Sequence, residues 1–249
     1  MKIIKEHVDH ATIQMREVFS ATPLQKNRHL SELYDSNLWL KREDLSPVRS
    51  YKIRGAFNAI RKSTDKEHFV CASAGNHAQG VSLVTNFFSK KATIFMPVTT
   101  PQQKINKTKI FGRENVEIIL IGDYFDDCLY EAQKFAREKN AHFLSPFDDL
   151  DVIEGQASVA SEINEQMKNI PDLIIMPVGG GGLSAGIVSY YGKNCEYVFV
   201  EPKGAASLEA AMNNNKPVKL GKIDNFTDGA SVAQVGKRNF QILGKYYES

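Results

Sequence analysis

Apolar residues along the chain gather into short, nearly continuous runs, at Leu38–Leu40, Phe69–Ala72, Ala92–Met96, Val116–Ile121, Leu173–Val178 and Tyr197–Val200. Between them lie amphipathic stretches at Asn76–Phe88, Gln102–Phe111, Asp126–Glu138 and Val152–Gln166. Runs without polar alternation predict parallel strands buried on both faces, and the stretches between them predict helices. Strand-then-helix repetition defines an α/β fold with right-handed crossovers. Ser145-Pro146-Phe147-Asp148 reads as a turn-like break between two α/β blocks. In open α/β sheets ligands sit beyond the carboxyl ends of the strands, so a motif gains weight when it directly follows a strand.

Composition narrows the field without choosing a chemistry. The 249 residues are 42% hydrophobic and 24% charged, ordinary for a soluble globular protein. A formal net charge of +2 gives no reason to expect nucleic acid or an anionic membrane as partner. Cys71, Cys128 and Cys195 are widely spaced and odd in number, which suggests neither a disulfide framework nor a zinc site. The histidines form no HExxH, and His7 with His10 reads as an exposed helical pair. The opening MKIIKEHVDHATIQ carries charges inside any apolar stretch, so neither a signal peptide nor a span is expected, and a cytoplasmic protein is.

Candidate chemistry begins at Lys52, in SYKIRGAFNAI, where a loop opens into a helix. Ser50 is the expected N-cap, and Ile53, Phe57 and Ile60 continue an apolar stripe at helical spacing. The positive end of a helix dipole makes an added ammonium less welcome, which frees part of the amine population for nucleophilic work. Such a lysine can carry a Schiff base to an aldehyde cofactor; a solvated lysine on an amphipathic helix is the plainer reading.

Two motifs follow strands. PVGGGGLSAG has four consecutive glycines, which let backbone approach a ligand closely with several N–H groups pointing one way. Leu183–Tyr191 then reads as a helix facing that ligand, and together they predict a phosphate cradle. Gly180, Gly182 and Ala185 also fit the dinucleotide pattern G-x-G-x-x-A, with Glu201 about twenty residues on as the ribose acid, so a nicotinamide-dependent oxidoreductase stays open. No lysine follows the glycines as in a P-loop. The second motif, CASAGNHAQGV, offers Ser73, Gly75 and Asn76 as donors at a helix start, for a carboxylate or a ring oxygen. Asn76 serves equally as a simple N-cap, and His77 as a surface residue.

TPL (22–24), WLKRED (39–44), SYKIRGA, SAGNHAQGV, IFMPVTTPQQK (94–104), PVGGGGL and DGASV (228–232) together resemble threonine dehydratase (threonine deaminase), a family of fold-type II pyridoxal-phosphate enzymes. The likeness runs from about Thr22 to Gly236, with its motifs in order. It implies two open parallel-type α/β domains of the tryptophan synthase beta-like kind, with the cofactor in the cleft between them. On that likeness the large domain takes residues 1–43 and 147–249, and the small one 44–146. Lys52 becomes the Schiff-base lysine and the base at Cα. Gly179, Gly180, Gly181, Gly182 and Leu183 hold the phosphate, Asn76 bonds the ring hydroxyl, Tyr51 lies beside the ring and Gly229 near its edge. Ser73, Gly75, Asn76 and His77 receive the substrate carboxylate.

The implied reaction is β-elimination of water from L-threonine or L-serine, giving 2-oxobutanoate or pyruvate and ammonia, within amino-acid metabolism and isoleucine biosynthesis. A homo-oligomer, dimer or tetramer, is implied as well. Related serine racemases carry a serine where this chain has Ala74, so elimination without appreciable racemisation is expected. Glu201, the backbone of Ala205 and Ser207 match a cation site of part of the family, and Glu201 is equally a solvated strand-end acid. Against the family, no SGGN-like stretch follows DGASV, and Ser231 and Ser249 are the late serines. A partner for the pyridine nitrogen and a regulatory domain answering isoleucine are therefore not expected. Three readings stand: a pyridoxal-phosphate lyase, a nicotinamide-dependent oxidoreductase, and a truncated, weakly active pyridoxal-phosphate-fold protein.

Overall fold

The structure, a computed structural model, describes residues 3–224 and 226–247, so Ser249 lies outside the described residues. The chain runs α1 (Lys5–Gln14), β1 (Leu24–Lys26), α2 (Arg28–Leu33), β2 (Trp39–Lys41), α3 (Lys52–Lys62), β3 (His68–Ala72), α4 (Asn76–Phe87), β4 (Lys91–Met96) and α5 (Gln102–Gly112). It continues through β5 (Val116–Leu120), α6 (Phe125–Glu138), β6 (His142–Phe143), α7 (Leu150–Met167), β7 (Leu173–Pro177), α8 (Gly182–Tyr191), β8 (Glu196–Val200), α9 (Ser207–Asn213) and α10 (Lys237–Leu243).

Four strands form one fully parallel sheet in the order β5-β4-β3-β6. Its central strands are nearly continuous apolar runs, and Phe69–Ala72 and Ala92–Met96 are buried throughout. Helices on both faces explain this: β3 packs among α4 residues on one side and against Cys128, Ala132 and Ala136 of α6 on the other. β7 and β8 pair in parallel as a separate two-stranded sheet.

Two expectations need correction. The run at Leu38–Leu40 forms a strand at Trp39–Lys41, but it pairs antiparallel with β1, and Trp39 and Leu40 are each 42% exposed. A short connection through α2 suffices for antiparallel pairing, and the ribbon has too few strands to bury both faces. The β7–β8 sheet is likewise open on one side. Leu173, Ile175, Val198 and Val200 face outward, whereas Met176 joins the core shared with α7 and α8.

Helices α3, α4 and α8 start at Lys52, Asn76 and Gly182, the candidate residues. In α3 the expected stripe widens until Ile53–Ile60 is buried on every side, including Arg54 and Asn58. This burial is possible because α3 crosses α7 at very short range. A Cβ added to Gly155 would lie 2.5 Å from the Arg54 carbonyl and 2.8 Å from the Cα of Gly55. Only glycine permits that approach, which lets the Arg54 and Asn58 side chains reach α7 acids.

Candidate active site

Lys52 is the first residue of α3, and Tyr51 rather than Ser50 is the N-cap. Ser50 still serves the helix start, because its hydroxyl accepts the Lys52 backbone N–H at 3.1 Å. Ser50 is itself pinned by Ser46, whose hydroxyl donates to the Ser50 carbonyl at 2.8 Å. The Lys52 amine donates to the Pro146 carbonyl at 2.7 Å, with the rings of Tyr51 and Phe147 5.5 and 5.9 Å away. Burial among these groups brings the ammonium down from 10.5 to about 8. Burial also pushes the Tyr51 hydroxyl up to about 12, with Glu43 adding to it, so it stays protonated.

The glycine turn lies between β7 and α8, as its sequence requires. Gly181 sits at φ +88°, a left-handed conformation, and Gly182 opens the helix. Phe147 packs so closely on the turn that a Cβ on Gly180 would fall 2.2 Å from its ring. Gly180, Gly181, Gly182 and Leu183 are buried, yet among the described residues the N–H groups of Gly179–Leu183 donate to no protein acceptor. Buried donors rarely go unpaired, and a row of them at a helix start is the usual arrangement for holding an anion.

SAGNH follows β3 directly. The Ser73 backbone N–H is held by Phe95, and its hydroxyl accepts from Gly75. Gly75 is the N-cap of α4, so Asn76 is the first helical residue instead of the cap. Its side chain faces DGASV: a Cβ on exposed Gly229 would lie 3.9 Å from the Asn76 amide nitrogen. Lys104 pairs with Asp228 at 2.9 Å beside it. His77 is not a surface residue. It is 3% exposed and its Nε2 meets the Leu144 carbonyl at 3.2 Å. Burial, with Lys52 nearby, pushes its imidazolium down to about 3, so the ring is neutral and donates through Nε2.

Sequence reasoning reads the segment 145–148 as a break and misses its function. Its carbonyls, with that of Leu144 just before it, are docking points: Leu144 takes His77, Pro146 takes Lys52, and Phe147 takes Asn239. Nothing in residue spacing signals a backbone acceptor. The ionic cluster behind Lys52 is missed too. Arg54, fully buried, binds Glu43 and Glu162, and Glu162 also takes Lys41 and Arg16. TPL and WLKRED hold this cluster, since Thr22 donates to both acids.

Glu201 behaves as a cap. Its two oxygens accept the Leu208 and Glu209 N–H groups at 2.7 and 2.9 Å, at the start of α9. Ala205 and Ser207 are buried beside it, and the Ser207 hydroxyl lies 3.5 Å from the Gly179 carbonyl. Each oxygen keeps a further lone pair beyond the N–H it accepts.

A parallel α/β frame that aims a desolvated lysine and an anion-seeking glycine turn into one place suits enzymes working through a phosphorylated carbonyl cofactor. The family described as "Pyridoxal-phosphate dependent enzyme" matches residues 15–249. The chain belongs to that family. It is 46% identical over 248 residues to L-threonine dehydratase biosynthetic IlvA of Staphylococcus aureus, covering 96% of this chain and 59% of that protein. The chain thus spans about three fifths of the length of the curated relatives it matches. Among solved structures, processed threonine deaminase isoform 2 from Solanum lycopersicum superposes with a TM-score of 0.88 at 34% identity, covering all of this chain and 74% of the other. The T.th. threonine deaminase does so with a TM-score of 0.84 at 26% identity, covering 98% and 79%. Family membership removes the nicotinamide reading, which left SYKIRGA and SAGNHAQG without a role.

Proposed function

We propose that this chain binds pyridoxal 5′-phosphate and deaminates L-threonine, and L-serine, by β-elimination of water. The single observation that carries the reading is the junction of a desolvated Lys52 amine with a buried row of unpaired N–H donors. Their chemistry fits the group: an amine available to a carbonyl, and donors available to a phosphate. The proposal extends to two blocks, 1–43 with 147–249 and 44–146, to a cytoplasmic setting and to a homo-oligomer, whose state sedimentation would report. No helix of the described residues is long and apolar enough to cross a membrane.

When bound, pyridoxal phosphate supplies a conjugated sink for the charge left at Cα on proton removal. The chain's own groups do the rest. The N–H groups of Gly179–Leu183, at the positive end of α8, grip the phosphate. Tyr51 would flank the ring, Asn76 would bond its hydroxyl, and Gly229 would leave room at its edge. Ser73, Gly75, Asn76 and His77 receive the substrate carboxylate at the start of α4, and neutral His77 adds orientation, not charge. Lys52 takes the Cα proton. In the cofactor-free protein, with its ammonium at about 8, about one amine in ten is free at pH 7, against a few in ten thousand for an ordinary lysine. The Pro146 carbonyl would steady the resulting ammonium, which would return that proton to the hydroxide leaving Cβ. The enamine so released tautomerises and hydrolyses to 2-oxobutanoate and ammonia.

The test is to incubate purified protein and pyridoxal phosphate with L-threonine and follow 2-oxobutanoate and ammonia together. Equimolar release supports the reading; a yellow protein releasing neither rejects the lyase assignment.

A further inference from the structure

Asn239, on α10, is fully buried and touches both halves of the site. Its amide nitrogen donates to the Gly180 carbonyl at 2.7 Å and to the Phe147 carbonyl at 2.9 Å. Both neighbours are acceptors, so the side chain must present nitrogen to them, and its Oδ1 is left buried with no partner. An unpaired buried acceptor costs stability. Packing alone therefore does not account for asparagine at this position. The helix and the loop are also tied in the other direction: Asp148 accepts the Lys237 and Arg238 N–H groups at 3.1 and 2.9 Å.

The consequence lies in the peptide joining Gly180 to Gly181. The Gly180 carbonyl is drawn toward α10 by Asn239 and by the Gly236 N–H at 3.1 Å. A planar trans peptide directs its N–H opposite to its carbonyl, so the Gly181 N–H must point away from α10. Without those bonds a glycine pair could rotate the plane, since glycine accepts either sign of φ. The second bond, to Phe147, sets the turn against the segment whose Pro146 carbonyl holds the Lys52 amine.

We propose that Asn239 is a positioning residue that orients the glycine turn toward an anion and fixes its distance from Lys52. The inference rests on the reading of the turn as a phosphate seat. It is tested by the affinities for pyridoxal 5′-phosphate and for pyridoxal, which shares the aldehyde but lacks the phosphate, followed by absorbance. Native protein prefers the phosphorylated form. Asn239→Ala, and the isosteric Asn239→Asp that replaces the double donor with an acceptor, are expected to cut that preference at least tenfold while pyridoxal binding changes less than twofold. Thermal melts of both variants check folding. Variants that keep the native preference overturn the inference alone, as does parallel weakening of both ligands, which marks a merely structural role. Native protein that binds both ligands alike overturns the reading of the turn, and this inference with it.

Discussion

The amine of Lys52 and the carbonyl of Pro146, 94 positions apart, meet at 2.7 Å across the site. A backbone carbonyl favours the ammonium, and burial opposes it; burial wins, giving about 8. The balance leaves a lysine that is held in place and is still a usable base.

A half-buried, desolvated ammonium should cost stability. The folded value of Lys52 lies below its unfolded 10.5, so the charged form is penalised at every pH below about 8. That penalty lifts between about 8 and 10.5 as the folded protein loses the proton first. Lys52→Met, measured by urea unfolding of cofactor-free protein, is expected to gain about 1–3 kcal/mol at pH 7 and progressively less toward pH 10. A variant less stable than the parent at pH 7 would refute the desolvation argument.

The glycine turn should tolerate no side chain. Gly181→Ala places a Cβ at φ +88° and 2.9 Å from the Asn239 Cβ, and Gly180→Ala drives one into the Phe147 ring. Strain of about 1–3 kcal/mol in the turn is expected to appear as at least tenfold weaker binding of pyridoxal phosphate, read by equilibrium dialysis. Unchanged affinity in both variants would detach the turn from the phosphate.

Glu162 should govern acid stability. Burial alone would raise its carboxyl, but hydrogen bonds and charge from Arg54 and Lys41 outweigh burial and bring it to about 2. A depressed folded value stabilises above the unfolded 4.5, and that contribution is lost as pH falls toward 2. Glu162→Gln takes one of two carboxylate partners from buried Arg54, leaving Glu43, and removes the partner of Lys41 and Arg16, so a loss of about 3–5 kcal/mol at pH 7 is expected. Urea unfolding should also find the variant less sensitive to pH between 5 and 3 than the parent. An equal acid dependence in both would move its origin elsewhere.

Ala74 stands beside Ser73, in the loop that starts α4, and carries no ionisable group. Under the proposed lyase reading, elimination without appreciable racemisation is expected, because a methyl group cannot return a proton to Cα. With L-serine as substrate, chiral chromatography should detect pyruvate and only traces of D-serine. Substantial D-serine would require another acid on the opposite face.

Much of this was legible in the chain. The nearly continuous runs at Phe69–Ala72 and Ala92–Met96 marked central parallel strands, because burial on both faces leaves no polar alternation. Gly179–Gly182 and Lys52 stood out because their chemistry is local: a turn of free N–H groups and a helix-start amine. The same rule failed at Trp39–Lys41, where pairing partner and exposure depend on how few strands a ribbon has. The surface alternative for His77 fails because burial is a property of what packs over a helix start, here Leu144 from 67 positions away. Arg54 looked like one more helical charge. Only the α3–α7 crossing at Gly55 and Gly155 turns it into the centre of a buried ionic cluster.

The central claim is one covalent attachment. Protein loaded with pyridoxal phosphate is reduced with borohydride, digested and mapped by mass spectrometry. The account predicts the pyridoxyl mass on the peptide containing Lys52, and its disappearance in Lys52→Ala. The mass on another lysine, or on none, would contradict it.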